Sequence, residues 1–335
     1  MIQALLYEKK ENKQVTCHLC AHECRLADGK LGLCHVRKNI GGDLFTLNFD
    51  RVVAMNMDPI EKKPLYHFLP GSRSFSIAAM GCNFSCRFCQ NHAISMMQTE
   101  NDIHGDRVTP EQLVASALRN RAQSISYTYT EPTVFFELVL ETAKLARLAG
   151  LKNVLVSNGY MTGQALNLLG PFLDAANIDL KSFNDDFYKK YCSARLKPVL
   201  EDISALKAMG IWVEVTTLLI PSLNDDRDEI LQLVSFLHEL DANIPWHVSR
   251  FFPQHQLLDI PPTSADLIYE VLQIGADKGL NFLYGGNIAD SHWNDTRCPQ
   301  CQKTLIKRSG YLSENLGLQG GACRFCGNKI AGIWE

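Results

Sequence analysis

The chain has 335 residues, 46% of them hydrophobic and 21% charged, and a net charge of −3. That length can bury a large core and reads as one main domain with appendages. The slight acidity argues against a nucleic-acid surface as the main partner, and no run of about 18 apolar residues marks a membrane span.

The first ten residues, Met1 to Lys10, carry too short an apolar run for a signal peptide. The reading is a cytoplasmic protein, so its 12 cysteines are metal ligands sooner than disulfides. They fall into sets of four, three and four, with Cys192 left over as a small packing residue.

Residues 1–70 form a Cys-rich, metal-binding appendage. Its set, Cys17-x2-Cys20-x3-Cys24-x9-Cys34, suits a structural zinc or a second iron–sulfur cluster, since thiolate quartets serve both. His18, His22 and His35 read as turn or supporting groups while four thiolates are present. An apolar-polar alternation around Leu44–Met55 reads as a hairpin.

Residues 71–290 alternate strand and helix, the pattern of parallel βα units. Strands are expected at Phe75–Met80, Ile125–Thr130, Asn153–Ser157, Asn177–Lys181, Trp212–Ile220, Trp246–Phe251 and Asn281–Tyr284. The first helix opens on the capping box of Thr109 and Gln112, with Pro110 at its first position. Further helices are expected at Val134–Ala149, Gln164–Ala175, Asp185–Tyr191, Val199–Met209, Asp226–Leu240 and Ala265–Lys278, with Gly150, Gly210 and Gly279 ending three of them. Six units and a seventh strand predict an α/β fold, a partial (β/α)6 to full (β/α)8 TIM-like barrel. A doubly wound sheet is the competitor, although no G-x-G-x-x-G follows the first strand.

After that strand comes Cys82-x3-Cys86-x2-Cys89. Three thiolates on one loop can hold three corners of a cubic iron–sulfur cluster and leave the fourth iron open. A structural zinc would need a fourth protein ligand, and only His92 is near in sequence. In a βα barrel, reactive groups sit where strands end. Those ends carry Glu131, Ser157-Asn158-Gly159, Asp179 and Lys181, Glu214 with Thr216-Thr217, His247 with Ser249 and Arg250, and Asn287. Any one of them could be a cap or a turn; together they converge on the rim that holds the cysteines.

Residues 291–335 carry Cys298-x2-Cys301 and Cys323-x2-Cys326, two knuckles separated by 21 residues. They predict a zinc-ribbon or rubredoxin-like module holding zinc or iron.

The cysteine spacing, with Phe88 before the last thiol, resembles the signature of the radical S-adenosylmethionine (SAM) superfamily. Across residues 75–290 the chain resembles activating enzymes of the pyruvate formate-lyase type. Over its whole length, Cys17 to Cys24 included, it looks like the radical SAM component of the AmmeMemoRadiSam system. The resemblance implies a [4Fe-4S] cluster on Cys82, Cys86 and Cys89, with SAM chelating the open iron. Reductive cleavage then gives a 5′-deoxyadenosyl radical that abstracts hydrogen. It places Phe88 near the adenine and Glu131 at the SAM amino group, a charge-assisted hydrogen bond. Ser157 and Asn158 fall near the SAM carboxylate or ribose, Asp179 and Lys181 around SAM or substrate, and His247 near the ribose or adenine. Two departures stand out. Tyr129-Thr130 replaces the Gly-Gly before the family's Glu-Pro, and Val156 replaces the aspartate of a monovalent-cation site.

As partners the resemblance implies a flavodoxin- or ferredoxin-like electron donor, Memo-like and AMMECR-like proteins, and a protein or peptide substrate. Two alternatives stay open: an iron–sulfur electron-transfer protein that does not cleave SAM, and a radical SAM enzyme that modifies RNA.

Overall fold

The computed structural model describes residues 1–288 and 292–335; the boundary expected between 290 and 291 therefore lies outside the described residues. Its centre is a run of parallel strands: β1 (Arg73–Ala79), β2 (Ser124–Tyr127), β3 (Lys152–Ser157), β4 (Ala175–Asp179), β5 (Trp212–Leu219), β6 (Trp246–Arg250) and β7 (Leu283–Gly286). Each pairs in parallel with the next in chain order. The principal crossover helices are α1 (Pro110–Arg119), α2 (Phe136–Leu148), α3 (Gly163–Leu169), α4 (Leu196–Ala208), α5 (Arg227–Asp241) and α6 (Ala265–Asp277).

Sequential order decides between the two expected architectures. Right-handed crossovers between neighbours all return on the same face, so the helices form one outer layer and the sheet curls without a switch point. The doubly wound alternative is thereby excluded. Among the described residues β7 pairs only with β6, so the barrel is partial. Its other edge is extended by Arg51–Pro59, antiparallel to β1, and by Asp106–Arg107 beyond it.

Alternation along the strands sorts side chains into two layers. Ile77, Ile125, Leu155 and Val213 belong to the main apolar core. The inward face is small or polar, and Ser74 and Ser126 meet there at 2.6 Å. Residues 60–69 fill the lower lumen: Ile60, Leu65 and Phe68 pack on Val154 and Ala175, and Asn177 donates to the Pro64 carbonyl.

Local signals explain most helix ends. Thr109 and Gln112 form the reciprocal capping box, while Gly150, Gly210 and Gly279 have φ of 78°, 77° and 93°. The helix expected over Gln164–Ala175 is shorter, because the chain tightens into Gly170–Phe172 and Ala175 already begins β4. The stretch expected as Asp185–Tyr191 is one short turn followed by a π turn, Tyr188–Cys192.

The alternation around Leu44–Met55 is not a hairpin. Asp43–Thr46 pairs with Arg37–Ile40 in a small N-terminal sheet, whereas Arg51–Pro59 joins the barrel sheet. Near the other end, Thr296–Arg297, Thr304–Ser309 and Leu312–Asn315 make a small antiparallel sheet. This module is stitched to the lumen segment. Leu69 donates to the Ile333 carbonyl and Ile333 to that of His67, while Arg308 donates to the Tyr66 carbonyl and stacks 4.0 Å from its ring centroid. No helix among the described residues is long and apolar enough to cross a membrane.

Candidate functional site

A cleft of ≈ 570 Å³ opens at the C-terminal ends of the strands. Its lining brings together Cys82, Cys86, Phe88, Cys89, Glu131, Ser157, Asn158, Asp179 and Lys181, residues the sequence places on separate strand ends. The cysteine loop starts at Gly81, whose φ of 106° is left-handed. A Cβ there would come within 2.8 Å of Val36 Cγ1, so glycine answers both demands.

Each thiol has a polar neighbour. The Phe84 amide donates to Cys82 Sγ at 3.3 Å, and Cys89 Sγ lies 3.2 Å from Ser95 Oγ. Cys192 is buried against Cys86. The Cys192 thiol and, against burial, the Lys181 cation hold Cys86 below the usual thiol range. Burial, reinforced by Cys86, pushes the Cys192 thiol up. The π turn also grips the loop, with Ser85 donating to the Cys192 carbonyl and Arg87 to that of Tyr191. His92 supplies no fourth corner; its ring stacks on His255 at 4.6 Å.

Glu131 is 1% exposed. Its Oε1 accepts from the Thr133 amide (3.0 Å), the Thr133 hydroxyl (2.5 Å) and the Ser157 hydroxyl (2.8 Å), and Oε2 accepts from the Asn158 amide (2.8 Å). Burial raises its pKa while these donors oppose the rise. A carboxylate has about four acceptor sites. Oε1 is thus fully engaged while Oε2 takes a single donor, and the carboxylate clamps the β2 and β3 ends together. Asn158 Nδ2 continues the brace, donating to Asn83 Oδ1 at 2.7 Å and approaching Cys82 Sγ at 3.8 Å.

Tyr129 occupies the position of the missing glycine and keeps a glycine's backbone, with φ of 66°. Side-chain contacts stabilise that costly conformation: its hydroxyl donates to Asp58, and Lys63 Nζ stands 4.3 Å from its ring centroid. Lys63 also bonds Asp58 at 2.7 Å. Burial pushes the Lys63 ammonium down to about 8 despite that partner. On the opposite wall Lys181 bonds Asp179 at 2.8 Å. Burial opposes its charge, but Asp179 and Cys86 hold it well above the usual lysine range.

Glu214, Thr217, His247 and Arg250, expected on the rim, lie elsewhere. His247 is absent from the cleft lining; its Nε2 is 2.7 Å from Glu214 and its ring packs between Tyr66 and Tyr284. It belongs to the lower lumen, where Glu214 also accepts the Tyr66 and His67 amides. Ser249, two residues on and facing the same way, lines the cleft in its place. Arg250 is tied to the Thr263 carbonyl. Sequence reasoning missed Lys62, Lys63 and Tyr311 in the lining, which come from outside the βα units and carry no strand-end signal.

The flanking thiols gather differently. Cys298, Cys301, Cys323 and Cys326 have all their sulfurs within 4.8 Å of one another, with Cys298–Cys326 at 3.5 Å and Cys301–Cys323 at 3.6 Å. Cys17, Cys20, Cys24 and Cys34 line one enclosed cavity with Arg37, Asn83 and Val134. Burial pushes the Cys20 thiol up and the Cys34 thiol to about 11.

Comparison with known proteins agrees with this geometry. Residues 77–234 match the radical SAM superfamily. An uncharacterized protein of Methanocaldococcus jannaschii is 41% identical over 333 residues, covering 98% of this chain and 99% of that one. A second protein of that organism, whose name assigns it to glycyl-radical enzyme activation, is 26% identical over 207 residues, 61% of this chain and 77% of that one. The solved structure of Streptococcus suis SuiB bound to S-adenosylmethionine superposes with a TM-score of 0.52 at 13% identity. The match covers 69% of this chain and 53% of SuiB, a likeness of fold.

Proposed function

The chain belongs to the radical SAM superfamily, and from that premise we propose that it reductively cleaves SAM and abstracts hydrogen from a protein or peptide. The observation that carries the proposal is the set of groups facing the three-thiol loop across one cleft: the Glu131–Ser157–Asn158 brace on one side and the Asp179–Lys181 pair on the other.

Cys82, Cys86 and Cys89 fit the family's cluster. Among the described residues no three-ligand set containing them falls within 4.8 Å, the compact spacing of the C-terminal quartet. Thiolates on separate irons stand wider than thiolates on one ion. When bound, the cluster supplies one electron to the SAM sulfonium, which splits into methionine and a 5′-deoxyadenosyl radical.

The chain's own residues do the positioning. The Phe84 amide and Asn158 Nδ2 point donors at Cys82. Asp179 and Lys181 offer one charge of each sign to a zwitterionic cofactor. Glu131 keeps the Asn158 amide and Ser157 in register, and Oε2, which takes one donor, has an acceptor site left for the SAM ammonium. Phe88, packed on Phe187 at 5.9 Å, gives the cleft an aromatic wall.

A macromolecular substrate is favoured by the relative named for activation of a glycyl-radical enzyme and by a cleft whose outer wall includes exposed Tyr311. The C-terminal quartet reads as a site for one tetrahedral ion, zinc or iron, because bonds of about 2.3 Å at tetrahedral angles set sulfurs about 3.8 Å apart. The test is anaerobic reconstitution, reduction with dithionite in the presence of SAM, and measurement of 5′-deoxyadenosine. The intact protein yields it and Cys86→Ala does not. A wild-type protein that carries its cluster but makes none would leave an electron-transfer role.

A further inference from the structure

We propose that Cys17, Cys20, Cys24 and Cys34 hold an iron–sulfur cluster, not a lone ion, and that it passes electrons to the site at Cys82, Cys86 and Cys89. The relay rests on the radical SAM reading; the identity of the cluster does not.

Spacing carries the first half. One tetrahedral ion with bonds of about 2.3 Å demands sulfurs about 3.8 Å apart. The C-terminal quartet meets that demand, and among the described residues it is the one set of three or more ligand groups within 4.8 Å. The N-terminal thiols surround a common void of ≈ 20 Å³ instead. That is room for a water-sized sphere, where a lone ion would draw the sulfurs shut. As in the three-thiol loop, no three of their sulfurs fall within 4.8 Å of one another, and that loop serves as a reference inside the same molecule.

The surroundings also suit a redox centre. Arg37, 1% exposed, donates Nη1 toward Cys17 Sγ at 3.7 Å and is held there by an ion pair with Glu137. A buried cation on a ligand sulfur stabilises the more negative, reduced state and raises its potential. Structural zinc changes no charge and gains nothing from such tuning.

Contact carries the second half. A Cβ placed on Gly81 would lie 3.2 Å from the Cys34 carbonyl, so the ligand loops touch beside Cys82. Asn83 lines the N-terminal cavity while its Oδ1 accepts from Asn158, which reaches Cys82 Sγ. His22 closes the same junction, bonding the Asn83 carbonyl at 2.7 Å. One electron enters from a reduced flavin or ferredoxin-type protein, which is oxidised. It reduces the N-terminal cluster and then the cluster at Cys82, Cys86 and Cys89, with no bond made or broken.

Two variants test this without reference to turnover. The triple Cys82→Ala, Cys86→Ala, Cys89→Ala protein, reconstituted anaerobically, should keep roughly half the iron and acid-labile sulfide of the intact protein. It should also show a reducible cluster signal by EPR, whose midpoint falls when Arg37→Met is added. The Cys17→Ser, Cys24→Ser protein should keep the other cluster and its direct reduction by dithionite, which diffuses into the open cleft. Its reduction by a ferredoxin-type protein should slow severalfold in stopped-flow absorbance. Zinc without iron in the triple variant overturns the cluster, and an unchanged rate in the double variant overturns the relay. SAM cleavage by the intact protein reports separately on the family reading.

Discussion

The cysteine quartet near the end of the chain and the one near its start differ in how each is held. The C-terminal four come from two tight knuckles, close to tetrahedral spacing, in a module whose apolar cluster is small: Phe282, Tyr284, Leu305, Ile306 and Ile330 with two of the cysteines. The N-terminal four are spread over residues 17–34, and Cys17 belongs to the main core. One quartet must supply the order of its own module, whereas the other is ordered by the barrel it leans on. Similar ligand chemistry therefore makes opposite demands on the surrounding chain.

That contrast can be broken most directly by removing metal. Stripping the C-terminal quartet, by chelation or by Cys298→Ser with Cys323→Ser, should unfold the module, since structural zinc supplies about 10 kcal/mol or more to small metal-organised folds. Limited proteolysis should then cut within 296–335 while the barrel survives. The matching Cys17→Ser, Cys24→Ser protein should stay folded.

The next largest effect concerns the ion pair behind the N-terminal set. Arg37→Ala strands the Glu137 carboxylate at 3% exposure, which should cost about 3–5 kcal/mol. The double change Arg37→Met, Glu137→Met should recover most of that loss in denaturant titrations. A loss no smaller in the double variant would show that the pair is not what couples the quartet to the barrel.

Acid should separate the two ends in the other direction. His67 lies under the C-terminal module, its Nδ1 donating to the Ala331 carbonyl at 2.7 Å and its Nε2 accepting from Tyr284 at 2.6 Å. That arrangement suits the neutral ring. Burial lowers its pKa from 6.5 to about 4. The unfolded state thus binds the proton first, and stability is fully present above pH 6.5 and lost as pH falls toward 4. The loss should reach about 3 kcal/mol and vanish in His67→Gln when unfolding is followed across that window.

Smaller still, Gly81→Ala imposes a left-handed alanine against Val36 and should cost about 1–3 kcal/mol. It should also loosen the N-terminal ligands while metal stays bound at the C-terminal ones, as metal analysis would show.

What was legible in the sequence was local. The cysteine sets, the capping box at Thr109 and the strand ends at Glu131, Ser157 and Asp179 are each written within a few neighbouring residues. Depth along a strand is not. His247 and Ser249 both face the lumen, and alternation cannot tell that one sits a layer below the cleft and the other in it. Lys63 reaches the cleft through Asp58 and Tyr129, and Tyr311 from the C-terminal module, contacts for which a single sequence carries no periodic sign. Tyr129 inverted the expected signal: the backbone conformation of a glycine persisted without the glycine, held by Asp58 and Lys63.

The stitch between His67 and Ala331, a sequence separation of 264 residues, has a kinetic consequence. Each βα unit closes short loops and can assemble early, whereas this junction must close a very long one at a large entropic cost. Ile60, Leu65 and Phe68 would then wait inside a half-built lumen until the module arrives. Refolding should show a slow final phase, reported by Trp212 and Trp334, whose side chains flank His67.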